Sequence, residues 1–505
     1  MSQAGTRRAR RIALALVAAI GLGPAWHAAR GQSAPLTECS IAGIRNSVQC
    51  GSVRRLLDPA RADGPSVDVQ FMVAPAMARR KLPDPVFVLA GGPGQSAIQI
   101  SPQMLALLNR LNNRRDIVFV DQRGTGRSAP LQCDDPQRET LAEQASQDRQ
   151  FESLMRCKRA LTALPYVRRE ADLGYFTTTL AMQDLDAVRR SLGAAQVDLV
   201  GASYGTRAAL EYLRLYPNAV RRAVLDGVAP PDMALPASFS TDGQAAFDAL
   251  LASCEADRAC NAAYPTLRAD WAALLASLPK RVTAPHPLSG RPETFTLTRD
   301  MLLAVVRGPL YSPALAAALP AAIVDARNGR YDGLVGLGSV LSPRKGLRLA
   351  MGMHFSVVCA EDVPRLAASR DVPGADFGDD QAAMYRRVCD AWPRGAVDPA
   401  YYTIGPSRAP VLLFSGGIDP ATPPRHGERV ARALGAQALH VVVPNAGHGV
   451  LAIGCVRDVV FRFIDAADDR AALAVDTRCV TSIPRPAAFL PWTTEAADAA
   501  SGASR

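Results

Sequence analysis

Gly201-Ala202-Ser203-Tyr204-Gly205 sets a hydroxyl between two glycines. A serine hydroxyl is a poor nucleophile until a base takes its proton. The apolar run Val197–Gly201 before it and the amphipathic stretch from about Tyr204 to Tyr216 after it predict a strand, a sharp turn and a helix. Such a turn lifts the Ser203 hydroxyl out at the C-terminal edge of a sheet, and the glycines relieve the crowding there. Six histidines could supply the base, at 27, 286, 354, 426, 440 and 448. His448, in Asn445-Ala446-Gly447-His448-Gly449, directly follows the last strand-like run and so falls at that same edge. The acid that orients a histidine base should follow a strand between Ser203 and His448. Asp419 does, just after Val411–Ser415; Asp226 is the alternative, and otherwise a turn-forming residue before Gly227. The order Ser…Asp…His is that of a triad built on an α/β sheet. Ser203 would attack, His448 would act as general base, and Asp419 would hold the imidazole. The negative oxygen that forms needs backbone donors. The Tyr204 N–H is one. The loop Gly91-Gly92-Pro93-Gly94 is placed to give the other, and since proline has no N–H the donor is Gly92 or Gly94.

Strands must carry these residues. Ser66–Val73 alternates polar and apolar residues, while Val86–Leu89 and Ile117–Val120 are short continuous apolar runs. The first pattern is a half-buried strand and the second is a buried parallel one. Thr178 or Thr179 can cap a helix through about Leu192. Ala223–Asp226 and Leu439–Val443 repeat the strand-then-turn pattern. Strands alternating with helices predict an α/β fold, a mostly parallel sheet with helices on both faces. Between Asp226 and Val411 the chain turns Ala/Leu-rich and helical in pattern, as at Gly243–Leu251 and Asp300–Val306. That stretch is far too long for a loop. The expected organisation is an export signal at 1–31, sheet domain at 32–231 with an insertion at about 131–175, a mainly helical cap at 232–404, and the rest of the sheet domain at 405–505.

The 505 residues are 48% hydrophobic and 21% charged, an ordinary globular balance. Arg7, Arg8, Arg10 and Arg11 precede an apolar run, Ile12–Gly23, followed by Ala25, Ala28 and Ala29. This is the layout of a secretory signal. The run is short for a bilayer span, so no stable membrane insertion is expected after cleavage; an uncleaved anchor is the alternative. Five arginines and no acid fall in residues 1–30, so the formal charge of +10 drops to +5 beyond them. No clustered basic stripe remains, which argues against a nucleic-acid partner. Ten cysteines stand at 39, 50, 133, 157, 254, 260, 359, 389, 455 and 479. In an oxidising compartment, periplasmic or extracellular, they would form disulfides. Pairing in sequence order is the simplest arrangement, Cys39–Cys50, Cys133–Cys157, Cys254–Cys260, Cys359–Cys389 and Cys455–Cys479, though connectivity does not follow from sequence. Tight Cys-x-x-Cys units that would hold a metal are absent.

Four segments together resemble the proline iminopeptidase and tripeptidyl aminopeptidase family of α/β-hydrolases. They are Gly91–Gly94, Asp121–Ser128 (DQRGTGRS), Gly201–Thr206, and the pair Gly416–Pro424 with Asn445–Gly449. The cysteines and the large cap look like the secreted tripeptidyl-aminopeptidase branch. The resemblance implies removal of short N-terminal pieces from peptide substrates through an acyl-enzyme, with no metal or organic cofactor, by Ser203, Asp419 and His448. It implies a structural role for Asp121–Ser128. Proline iminopeptidases often carry a histidine before the GGPG run, where this chain has Ala90, so strict specificity for N-terminal proline is not implied. An aminopeptidase also needs an anion for the substrate ammonium, and Glu361, in Cys359-Ala360-Glu361-Asp362, is the candidate. Two other readings stay open: an esterase or other acyl hydrolase on the same triad, and a non-catalytic binding protein. The second predicts a missing triad member, and none is missing. Oligomeric state leaves no signal in the sequence.

Overall fold

A computed structural model describes residues 36–135, 138–340 and 348–491. The expected export signal, residues 1–31, lies outside the described residues.

Eleven strands form in chain order. They are β1 (Thr37–Cys39), β2 (Val48–Leu56), β3 (Ser66–Ala74), β4 (Val86–Leu89), β5 (Ile117–Val120), β6 (Val197–Ala202), β7 (Val220–Asp226), β8 (Lys280–Pro285), β9 (Pro292–Leu297), β10 (Val411–Gly416) and β11 (Ala438–Val443). Nine make one sheet in the order β1-β2-β3-β5-β4-β6-β7-β10-β11. The first four in that order, β1, β2, β3 and β5, are joined antiparallel, and from β5 to β11 every pairing is parallel. The pleat explains why the apolar runs are continuous. In β4, Phe87 and Leu89 enter the core on one face while Val86 and Val88 enter the core on the other. Val118 and Ile117 in β5, and Leu413 and Leu412 in β10, divide the same way. Both faces are covered, so no position along these strands can be polar without cost.

The helices that cover the faces and shape the site are α1 (Ala97–Leu107), α2 (Gln147–Leu161), α3 (Thr178–Ser191), α4 (Tyr204–Leu215), α5 (Leu235–Ala256), α6 (Arg299–Leu310), α7 (Met351–Glu361), α8 (Asp380–Ala391), α9 (Pro424–Leu434) and α10 (Val456–Asp465). Part of the chain between β7 and β10, joined by Leu141 and Ala145, builds a second apolar core around Phe247, Trp271, Leu302, Leu319 and Ile323, while α7 and α8 pack into the core of the sheet. That region holds more than helices, since β8 and β9 pair as an antiparallel hairpin beside it. No helix among the described residues is long and apolar enough to cross a membrane.

All ten cysteines are paired, each with its neighbour in sequence: 39–50, 133–157, 254–260, 359–389 and 455–479.

Candidate active site

Ser203 stands between β6 and α4 with φ 57° and ψ −126°. A non-glycine residue in that region is held there against a local cost of order 1–3 kcal/mol. The surroundings hold it. Its N–H donates to the Asp226 carbonyl at the end of β7 (2.8 Å), and its carbonyl accepts from the Thr206 N–H (2.9 Å) and hydroxyl (2.6 Å). The glycines on each side are needed sterically. A Cβ on Gly201 would lie 2.5 Å from the Gly205 carbonyl oxygen, and one on Gly205 would lie 2.2 Å from that of Leu89.

His448 lies on the loop after β11. Its Nδ1–H donates to the Asp419 carboxylate at 2.8 Å, and the Thr422 hydroxyl sits 3.1 Å from the same nitrogen. Asp419 also accepts from the N–H groups of Ala421 (2.7 Å) and Thr422 (2.9 Å) and from the Thr422 hydroxyl (2.8 Å). Burial alone would push this carboxyl up, but the His448 charge and these bonds outweigh it and hold Asp419 below its usual range. Burial likewise pulls His448 down, while the Asp419 charge and hydrogen bond overcome it and leave the imidazole raised. Tyr311 closes the other side of the ring, its carbonyl accepting the His448 N–H (2.9 Å) and its ring meeting the imidazole edge-on at 5.0 Å.

Asp226, the alternative acid, has a different place. Its carboxylate accepts the N–H groups of Val450 (2.9 Å) and Leu451 (3.0 Å), just beyond His448. Burial raises it to about 6, with those two bonds opposing. Asp226 therefore joins the two halves of the site, holding Ser203 through its carbonyl and the histidine loop through its carboxylate. A Cβ on the next residue, Gly227, would touch His448 Cε1 at 3.3 Å. Ser203 and His448 thus converge on either side of Asp226–Gly227.

The Gly91–Gly94 loop packs on the serine, where a Cβ on Gly91 would lie 3.1 Å from Ser203 Cβ. Gly92 has φ 114°, and a Cβ there would collide with the Gly94 nitrogen at 2.7 Å. Tyr204 is the first residue of α4, so no helical carbonyl stands four residues back to take its N–H. Asp121, at the end of β5, steadies the loop. It accepts from the Ser96 hydroxyl (2.6 Å) and the N–H groups of Ile98 and Arg127 (both 3.1 Å). Arg123 is fully buried and forks onto Asp184 of α3 at 2.7 and 2.8 Å.

Glu361 does not match the role expected from the sequence. It is 1% exposed and lies beneath α4. Its Oε1 accepts the Thr178 N–H (2.7 Å); its Oε2 accepts the hydroxyls of Thr178 (2.8 Å) and Tyr401 (2.5 Å). Both oxygens are engaged within the fold, and the side chain is closed off from solvent. The acid was visible in the sequence, but its direction and burial were not. Sequence reasoning also missed Thr422 and Tyr311. The Asp-x-x-Thr spacing of 419–422 is a local turn signal that could have found the first; nothing local marks the second.

Beside His448 a cavity of about 460 Å³ opens, lined by Arg307, Tyr311, Phe377, Met384 and Tyr385 among others. Arg307 lies over the Phe239 ring at 4.3 Å and donates to the Tyr311 hydroxyl at 3.1 Å. Three of the other described histidines are engaged elsewhere: His426 with Asp242 (2.9 Å), His440 with Ser415 (3.0 Å), and His286 with the Glu139 carbonyl (3.2 Å).

A nucleophile elbow on a mainly parallel sheet, with an acid and a histidine following later strands, defines a class. The chain has the α/β-hydrolase fold: residues 84–262 match the family described as alpha/beta hydrolase fold, and residues 374–479 match that described as TAP-like protein. It is similar to a tripeptidyl aminopeptidase of Streptomyces lividans, 29% identical over 235 residues, which are 45% of this chain and 42% of that protein. The chain thus aligns with about two-fifths of that relative's length. It is also similar to the serine protease Hip1 of Mycobacterium tuberculosis, 25% identical over 441 residues, covering 80% of this chain and 83% of that one. Among solved structures, a serine hydrolase from Cycloclasticus zankles overlaps 83% of this chain and 98% of its own, at 13% identity and a TM-score of 0.37.

Proposed function

We propose that this protein is an exported serine peptidase that releases short N-terminal pieces, tripeptides among them, from peptides. One observation carries the catalytic reading: His448 is bonded to a buried Asp419 on one side of Asp226–Gly227, and the strained Ser203 is fixed on the other. His448 Nε2 takes the Ser203 proton, Ser203 Oγ bonds to the scissile carbonyl carbon, and His448 returns the proton to the leaving amine. Water then repeats the sequence and frees the acyl group. The N–H groups of Tyr204 and Gly92 face the oxygen that becomes negative. The relatives support the peptide substrate, and the five disulfides support an oxidising compartment.

The test is a panel of chromogenic tripeptidyl amides with free and blocked N-termini, single-residue amides, and simple esters. Free tripeptidyl amides should be cleaved fastest. Equal rates on blocked peptides would remove the aminopeptidase reading, and turnover of esters alone would make the protein an esterase. Ser203→Ala should lose activity by about 10⁴-fold or more; a fully active variant would end the triad assignment.

A further inference from the structure

Helix α7 touches both halves of the oxyanion site, one at each end. At its start, the Ala350 N–H donates to the Gly94 carbonyl (2.9 Å). The approach is so close that a Cβ on Gly94 would lie 2.8 Å from the Ala350 carbonyl oxygen. One turn on, His354 Nδ1 meets the Pro93 carbonyl at 3.3 Å, and its Nε2 meets the Tyr385 hydroxyl at 2.9 Å. Burial pulls this imidazole down to about 4, so it is neutral. The Pro93 carbonyl can only accept, so Nδ1 carries the proton and Nε2 accepts from Tyr385.

At the other end of α7, Glu361 reaches the serine turn. It bonds both the N–H and the hydroxyl of Thr178, and the Thr178 hydroxyl lies 2.6 Å from the Tyr204 hydroxyl. The Thr178 proton goes to the carboxylate, so Thr178 must accept from Tyr204. Tyr204 is the residue after the nucleophile, and its backbone N–H is one of the two oxyanion donors. Asp362 adds a second hold, pairing with Arg207 one turn along α4 at 3.0 Å. The Tyr401 hydroxyl and the Cys359–Cys389 bridge fix α7 itself.

We infer that α7 is a strut setting the gap between the two oxyanion donors, with His354 positioning the Gly92 loop and Glu361 positioning Tyr204 through Thr178. None of the three side chains touches substrate; each acts through a backbone donor. The inference rests on the serine-hydrolase reading and adds positioning residues to it. It gives Glu361 a role in transition-state stabilisation rather than in binding the substrate amine. It also ties the region between β7 and β10 to the chemistry, because any displacement of α7 pulls on both donors together.

The test uses Thr178→Val, which keeps the branched shape and removes the hydroxyl link, with Thr178→Ser as the rescue. Glu361→Gln and His354→Phe probe the two ends separately. On a small ester, Thr178→Val should lower kcat about 10- to 100-fold, less than the loss of an oxyanion donor itself. KM should change less than about threefold, because ground-state binding is untouched. Affinity for a peptide boronate, which forms a tetrahedral adduct on the serine, should fall in step with kcat/KM. Thr178→Ser should restore most of the rate. A Thr178→Val protein with native circular dichroism and wild-type kcat would overturn the inference, as would a defect confined to KM. If Glu361→Gln fails to fold, the Thr178 pair still decides. Ser203→Ala, run beside them, separates the two readings: if it stays active, the triad assignment fails, whereas an inert Ser203→Ala with a fully active Thr178→Val removes the strut alone.

Discussion

Proton balance at one imidazole sets the pH range in which the site can work. In the proposed mechanism His448 acts as a base only when neutral, and Asp419 holds it above the ordinary imidazole value of 6.5. A raised value keeps the proton on to higher pH, so kcat/KM should rise with pH with a midpoint above 6.5. Asp419→Asn removes the charge responsible, which should move that midpoint down and lower the rate by about 10⁴-fold. A pH profile on a neutral ester reads both, and a wild-type midpoint below 6.5 would contradict the geometry. That Ser203, Asp419 and His448 would follow strands was legible in the sequence, because each lies in a Gly- or Pro-marked turn and such turns leave side chains at one edge. Glu361 was misread because a carboxylate beside a cysteine says nothing about where it points. Its partners, Thr178 and Tyr401, lie 183 and 40 residues away.

Elements place these residues by close approach more than by hydrogen bonds. Strand β4 and helix α4 pass so near at Gly205 that an alanine Cβ would lie 2.2 Å from the Leu89 carbonyl oxygen. Gly205→Ala must move one element or the other, which should cost about 3 kcal/mol and disturb the serine turn. A denaturant melt checks this, and an unchanged midpoint would show that the approach is not tight. Asp226 joins β7 to the histidine loop in a second way. In Asp226→Asn an amide N–H faces the Val450 or Leu451 donor, so the loop should loosen, kcat should fall about tenfold, and stability should drop by about 1–3 kcal/mol. Retained kcat would show that His448 does not depend on that bond. The buried parallel strands β4 and β5 were read from sequence to the residue, since burial on both faces demands unbroken apolar runs. Strand β2 was not legible, because Val-Gln-Cys-Gly-Ser-Val-Arg-Arg-Leu is half-exposed near the sheet edge and alternates poorly. The start of α3 was expected to be capped by its own hydroxyl. Instead Thr177 makes no side-chain cap, and Glu361 takes the Thr178 N–H from a distant helix. Caps supplied through the tertiary fold leave no local signal.

At the scale of the molecule, apolar burial and cross-links share the work. The sheet domain buries both faces; part of the region between β7 and β10 has its own core, while α7 and α8 pack into the core of the sheet through Met353, Phe355, Val358 and Val388. The disulfides are not equivalent in this arrangement. Cys254–Cys260 closes only 6 residues within one core, whereas Cys359–Cys389 closes 30 and ties α7 to α8. Loop-closure entropy gives about 2 kcal/mol for the short loop and about 3.5 kcal/mol for the long one. Replacing both members of a pair by serine should therefore lower stability more for 359–389 than for 254–260, read as denaturant midpoints at constant slope. The same comparison bears on function. Loss of the 254–260 bridge should leave kcat at its wild-type value, because nothing near the serine turn depends on it. Loss of the 359–389 bridge frees the segment that braces Tyr204 and the Gly92 loop, so kcat should fall several-fold under conditions where the protein is still fully folded. Equal kinetics in the two variants would mean that packing alone holds α7 in place and that the bridge serves stability only.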